Sequence, residues 1–431
     1  MAAPRFYPLE AKSALSRGTL PEPFLCCLYR AMAPYRGCGH GCAYCDGRAE
    51  KYFVEGVFDR DIGVRFNLGG LMRKEASGRT ARGEYGSVCI GSGVTDVYQP
   101  YDGRFALTRE CLEALASLGV PVVILTKNAR IERDFDLLAR FPSALVILTV
   151  TTLDSRLASV LESGASPPAK RLETVRRARE AGFHAGVMAM PLCPGITDSP
   201  DAARDLFRAC RDAGAEFVYP GGLTLRPGCQ KERFLETLTA HFPEKIPLYE
   251  RAYAENRQSG MPDRAYRTGL ERTISRILDE EGIPSMIPHS VYRDLLSPPD
   301  SIFVLLCHMQ SLYAARGVDT RALKAATEQY GAWLAETRKA LRRKKTPRNA
   351  PAASDEGLAP ADLFPNDRES EHPTDPFPIT AELFARLRER PFAERCGNPR
   401  LGTLVDTLLS DGSVFDYPTL TLLSPDKTLI S

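Results

Sequence analysis

Cys38, Cys42 and Cys45 lie in the stretch APYRGCGHGCAYCDGR (33–48) with the spacing C-x3-C-x2-C. Thiolates are metal ligands, and free thiols this dense in a glycine-rich loop have no packing rationale. Structural zinc is closed and four-coordinate. His40 lies inside the loop, but no second C-x2-C follows it. A four-iron cluster has four corners, each wanting a thiolate, so three cysteines leave one iron open to a small ligand. Glycines at 37, 39 and 41 allow the backbone to wrap closely around such a group. The remaining cysteines, at 26, 27, 89, 111, 193, 210, 229, 307 and 396, are scattered and read as small buried hydrophobes.

The elements that must position this loop alternate. Short apolar runs at 26–33, 87–92, 122–127, 145–152, 186–191 and 217–222 suit parallel strands buried on both faces. Between them, TRECLEALASLG is expected to start a helix at a Thr108 cap, and PAKRLETVRRAREAG and SPDAARDLFRACRDAG both stop at glycine. The alternation predicts an α/β fold, either a parallel barrel or an open doubly wound sheet. The first apolar run leads directly into the cysteine loop, placing it at the strand end where parallel α/β folds keep their chemistry.

The chain has 431 residues, enough for about two to three domains. The expected division is an N-terminal segment (1–24), a catalytic core (25–245), a helical extension (246–345), a Pro- and acid-rich disordered linker (346–376) and a C-terminal tail (377–431) with one short helix, TAELFARLRER. Apolar residues make up 43% and charged residues 26%, with a net charge of +2, so no global field announces nucleic acid or membrane. The first residues lack the apolar core of a signal peptide. No uncharged apolar run reaches about 18 residues. A cytoplasmic protein with reduced cysteines and no membrane partner is expected.

C-x3-C-x-Φ-C, with aromatic Tyr44 before the last cysteine, resembles the signature of the radical S-adenosylmethionine (SAM) superfamily. Together with GSGVTDVYQP, TLDSRLASVLESGASPPAKRLETVRRAREAG and MPLCPGITD, it resembles the spore-photoproduct-lyase-like branch of that superfamily over residues 25–245. The resemblance implies a partial (β/α)6 barrel and a [4Fe–4S] cluster held by Cys38, Cys42 and Cys45. The open iron would be chelated by SAM. An external donor of flavodoxin or ferredoxin type would drive cleavage to a 5′-deoxyadenosyl radical, which abstracts hydrogen from a substrate. That substrate is unidentified; a lyase-like reaction on nucleic acid is one form it would take. The alternative is a non-catalytic module holding zinc or a structural iron–sulfur cluster.

The strand ends offer further candidates. GSGVTD supplies Ser92, Thr95 and Asp96, which read by themselves as a glycine turn capped by Thr and Asp; the resemblance places them near the methionine end of SAM. Lys127 reads alone as a solvated strand end, and Glu162 and Arg171 as surface charges. By resemblance Lys127 and Thr149 contact SAM, Glu162 and Arg171 lie near its carboxylate, and Tyr44 lies near its adenine. Gly93 stands where spore photoproduct lyases carry a hydrogen-donating cysteine, so their thymine-dimer relay does not carry across. Cys193, in PLCPG, is the substitute donor expected to face the same cavity. Asp46 replaces a common aromatic residue and is expected to alter the cavity wall. RKALRRKKTPR (338–348) is the densest basic run and reads as a cationic helix end.

Overall fold

A computed structural model describes residues 3–81, 85–91, 94–345, 378–389, 391–396 and 398–424. Ser92, Gly93 and the expected linker at 346–376 lie outside the described residues. The strands are β1 (Arg5–Pro8), β2 (Leu15–Glu22), β3 (Cys27–Ala31), β4 (Tyr35–Arg36), β5 (Asp61–Val64), β6 (Val88–Ile90), β7 (Val122–Thr126), β8 (Ala144–Thr149), β9 (His184–Leu192), β10 (Val218–Gly222), β11 (Val414–Asp416) and β12 (Thr421–Leu423).

Strand order decides between the two architectures left open by the sequence. β3, β6, β7, β8, β9 and β10 pair in parallel, each with its successor, and the order never reverses. A doubly wound sheet needs a reversal, the point where its ligand binds. This one winds in a single sense, as a partial six-stranded βα barrel does. β2 pairs antiparallel with β3 and extends the open edge to seven strands.

The apolar runs are continuous because each strand feeds two cores. Every residue of β8 is buried. Val122, Ile124, Val146 and Leu148 pack with the helices Leu107–Ala116, Pro168–Glu180, Pro200–Asp212 and Arg264–Glu281. Their neighbours Val123, Leu145 and Ile147 face the other way, into a second core built with Pro298–Ala315, Arg321–Lys345 and the segment 378–424.

Two expectations need correcting. Thr108 is not a helix cap: that place belongs to Ala106, in the left-handed region at φ 53°. Buried Asp102 draws Thr108 inward instead, accepting its backbone N–H at 3.1 Å, with the Tyr35 hydroxyl at 2.6 Å and Arg133 at 2.8 Å. The C-terminal region holds more than one short helix. Helices Pro378–Glu389 and Pro399–Asp411 and the β11–β12 hairpin pack into the second core. Tyr417 meets His308 Nδ1 at 2.7 Å, and His289 Nδ1 accepts the Phe415 N–H at 3.0 Å.

Two charged side chains link the helical region to the sheet. Arg338 bonds buried Asp300 at 2.8 Å and donates to the Thr19 carbonyl on β2 at 2.9 Å. His184, opening β9, lies between Glu216 at 3.1 Å and Asp294 at 3.2 Å. Among the described residues no helix is long and apolar enough to cross a membrane.

Candidate active site

The cysteine loop leaves β3 through the short strand β4, which pairs antiparallel with β5. Protein contacts hold it on every side. Cys38 donates its N–H to the Phe58 carbonyl at 3.0 Å, Gly39 to Gln99 Oε1 at 2.7 Å, and Ala43 to the Leu161 carbonyl at 2.8 Å. Gly164 donates to the His40 carbonyl at 2.8 Å, and Gln230 Nε2 to that of Tyr44 at 2.9 Å. The glycines serve this close fit rather than a clearance around a ligand. Gly37 has φ +79°, and a Cβ there would come within 2.8 Å of the Phe58 carbonyl; one on Gly39 would strike the Tyr101 ring at 2.4 Å.

Cys38, Cys42 and Cys45 line one cavity of about 110 Å³ with His40, Thr95, Asp96, Lys127 and Thr149. This is below the roughly 300–1,000 Å³ of ordinary small-molecule pockets. Burial raises all three thiol pKa values, that of Cys38 to about 12 with help from the Asp96 charge. Among the described residues, no three His, Cys, Asp or Glu side chains are grouped so as to hold a metal ion. The three thiols on one loop that line this cavity are the donor set that an iron–sulfur cluster takes.

The strand ends are tied together beneath the cavity. Asp96 accepts from the Thr126 hydroxyl, the Lys127 N–H and the Tyr98 N–H, each at 2.8 Å. Thr95 donates to the Gly37 carbonyl at 2.7 Å. Thr95 and Asp96 therefore face the cavity with their hydrogen bonds directed into the protein. The Lys127 ammonium sits 5.7 Å from the centre of the Tyr44 ring.

Tyr44, Glu162 and Arg171 come together, but not on the cavity wall. The Tyr44 hydroxyl donates to Glu162 Oε1, which also accepts from Thr151 at 3.0 Å. Arg171 pairs with Glu162 at 2.5 Å and donates to the Thr149 carbonyl at 2.6 Å, with both charged side chains fully buried. Burial opposes the Glu162 charge, yet Arg171, then Lys127 and Tyr44, outweigh it and hold the carboxyl below its ordinary value. Sequence alone read these two as surface charges; they form a buried strut under the loop.

Cys193 is also off the wall. It is fully buried in an apolar cluster with Cys42 and Tyr44 of the cysteine loop and with Leu161, Tyr249 and Tyr253, and its N–H donates to Thr197. Asp46 likewise points away from the cavity, accepting from Arg226 Nε at 2.5 Å and the Tyr52 hydroxyl at 2.7 Å. It clamps the loop after β10 onto the cysteine loop.

His40 and Asn128 were not singled out as functional from sequence, although one lies inside the cysteine triplet and the other directly follows Lys127. His40 is buried against Cys38, with Nδ1 3.6 Å from its Sγ and 3.5 Å from Asp96 Oδ2. Asn128 Nδ2 meets His40 Nε2 at 3.2 Å. Burial, opposed by the Asp96 charge, lowers the His40 pKa.

Residues 32–207 match the model of the family described as "Radical SAM superfamily". The chain is similar to the uncharacterized protein Rv2578c of Mycobacterium tuberculosis, at 31% identity over 280 residues, spanning 63% of this chain and 80% of that one. It is also similar to the radical SAM Nalpha-GlyT isomerase of Pseudomonas phage M6, at 26% identity over 288 residues, or 64% of this chain and 53% of that one. Among solved structures, a spore photoproduct lyase complexed with dinucleoside spore photoproduct aligns with a TM-score of 0.47. It is 15% identical, over 64% of this chain and 79% of that one.

Proposed function

Because this chain belongs to the radical SAM superfamily, whose cofactors are a [4Fe–4S] cluster and SAM, we propose that it cleaves SAM reductively and abstracts hydrogen from an organic substrate. Held by Cys38, Cys42 and Cys45, a [4Fe–4S] cluster would supply the electron for reductive cleavage of SAM, the source of the hydrogen-abstracting radical. The observation that carries this reading is the set of three thiols on one loop, lining one cavity together with Lys127 and Thr149.

Within this reading Cys38, Cys42 and Cys45 hold three iron corners. Lys127 supplies a cation and Thr149 a hydroxyl on the wall where SAM's charged end would lie. Asp96 and Thr95 fix the backbone of that wall through their bonds to Lys127, Thr126 and Gly37. Ser92, outside the described residues, is retained with them as a SAM contact from the motif alone. Glu162, Arg171 and Tyr44 are positioning residues that brace the loop. Cys193, buried in one cluster with Cys42 and Tyr44 though not itself on the cavity wall, is kept as the candidate hydrogen donor.

The finer reading takes nucleic acid as the substrate, on the likeness of the motifs to spore photoproduct lyases, and a flavodoxin or ferredoxin as the reductant. The name of the phage relative adds an isomerisation to the reactions worth assaying. Anaerobically purified protein given dithionite and SAM is expected to release 5′-deoxyadenosine. Cys38→Ala is expected to lose both the iron and the cleavage. A colourless protein carrying one zinc under strict anaerobiosis would overturn the proposal. Deuterated DNA, peptides and metabolites can then be compared by deuterium transfer into 5′-deoxyadenosine, and no transfer from DNA removes the nucleic-acid reading alone.

A further inference from the structure

His40 lies in the cavity wall between two of the proposed ligands in sequence, and its hydrogen bonds fix which nitrogen carries the proton. Ser166 Oγ accepts the Ala129 N–H at 3.0 Å, so its hydroxyl is free to donate to Asn128 Oδ1 at 3.1 Å. Asn128 Oδ1 also accepts the Arg130 N–H at 3.0 Å. With its oxygen so engaged, the Asn128 amide turns its NH2 towards His40 Nε2, 3.2 Å away. Nε2 is then the acceptor of a neutral imidazole, and Nδ1 carries the hydrogen.

That hydrogen has two neighbours. Asp96 already accepts from Thr126, Lys127 and Tyr98, and its Oδ2 lies 3.5 Å from Nδ1, long for an N–H···O bond. Cys38 Sγ is at 3.6 Å, an ordinary length for a bond to the larger sulfur atom. The His40 carbonyl is held by the Gly164 N–H, so the residue is fixed at both ends.

We propose that His40, oriented by the Asn128–Ser166 chain, donates its Nδ1–H to the Cys38 sulfur and thereby raises the reduction potential of the bound cluster. A hydrogen bond to a ligating sulfur offsets the extra negative charge of the reduced state, and such bonds are among the protein's levers on cluster potential. His40 is a positioning and tuning residue rather than one that touches substrate. The inference rests on the cluster assignment above and concerns a property that assignment does not fix.

The test is a redox titration of the anaerobically reconstituted protein followed by electron paramagnetic resonance, with iron and sulfide counted for each variant. His40→Leu removes the donor. Asn128→Leu keeps the imidazole but releases its tautomer. Both are expected to lower the midpoint potential, His40→Leu more, and to raise the terminal iron–cysteine stretching frequencies in resonance Raman spectra. An unchanged or raised potential in His40→Leu at full iron content overturns the inference. Should His40→Leu fail to hold a cluster, Asn128→Leu decides by the same sign. If the parent protein takes up no [4Fe–4S] cluster, the proposed function fails; if it does and the potentials coincide, only the role of His40 fails.

Discussion

Glu162 carries its charge with no water beside it, and Arg171, equally buried, is the cation that permits it. Removing one partner of such a pair strands the other, a loss of about 3–5 kcal/mol. Arg171→Met is therefore expected to lower the thermal midpoint steeply, whereas an exposed pair such as Arg233–Glu236 would cost at most about 1 kcal/mol. The carboxyl is held below its unfolded value, so its contribution is present above the ordinary glutamate range and lost as pH falls through the folded value. Comparing acid unfolding of the parent and Glu162→Gln checks that sign, since the variant should lose less stability on acidification. At this scale the sequence was only partly readable. The cysteine spacing exposes its chemistry because three ligands sit within one loop. Glu162 and Arg171 do not, because a charge on a helix pattern looks the same whether it meets water or a buried partner 118 positions away, as Glu162 meets Tyr44.

Elements were legible where their pattern was local. The six parallel strands sit where the apolar runs place them, because burial on both faces demands unbroken runs. Helix Pro298–Ala315 falls within the expected helical extension, but its own bounds are not marked in the sequence, for the converse reason. Ile302, Val304, Leu305, Leu306, His308 and Met309 are all buried, so no polar stripe marks its period. Short strands such as β4 and β5 depend on pairing across the chain and leave no periodic trace. The contact of β9 with the helical region is a place where elements respond to pH. Burial lowers the His184 pKa, but Asp294 and Glu216 together raise it to about 9. A histidine raised above its unfolded value stabilises the fold fully below that unfolded value, near 6.5, and loses its effect as pH climbs through about 9. The parent protein should lose stability in denaturant titrations between pH 7 and pH 10, and His184→Asn should show a smaller loss over the same interval. Equal losses in both proteins would count against the linkage.

At the scale of the whole molecule, the barrel and the C-terminal segment share one core. Leu383, Val405 and Phe415 belong to the same buried cluster as Val123 and Ile147 of the sheet. Ending the chain before residue 378 would uncover that cluster and remove the Tyr417 partner of His308. Such a truncation is expected to aggregate or to melt well below the full chain, and an unchanged melting curve would mean that the segment docks without contributing. The cysteine loop draws on the same breadth of chain: Phe58, Gln99, Gln230 and the turn holding Leu161 and Gly164 come from four parts of the fold and grip its backbone. The loop is therefore expected to lose its conformational freedom when the chain folds rather than when the site is loaded. In a zinc finger the metal's binding energy is also the folding energy. Here the loop is gripped by the protein itself, so chelating the iron is expected to leave the far-ultraviolet signal and the cooperative melt in place, and unfolding on chelation would mean that the metal group orders the loop.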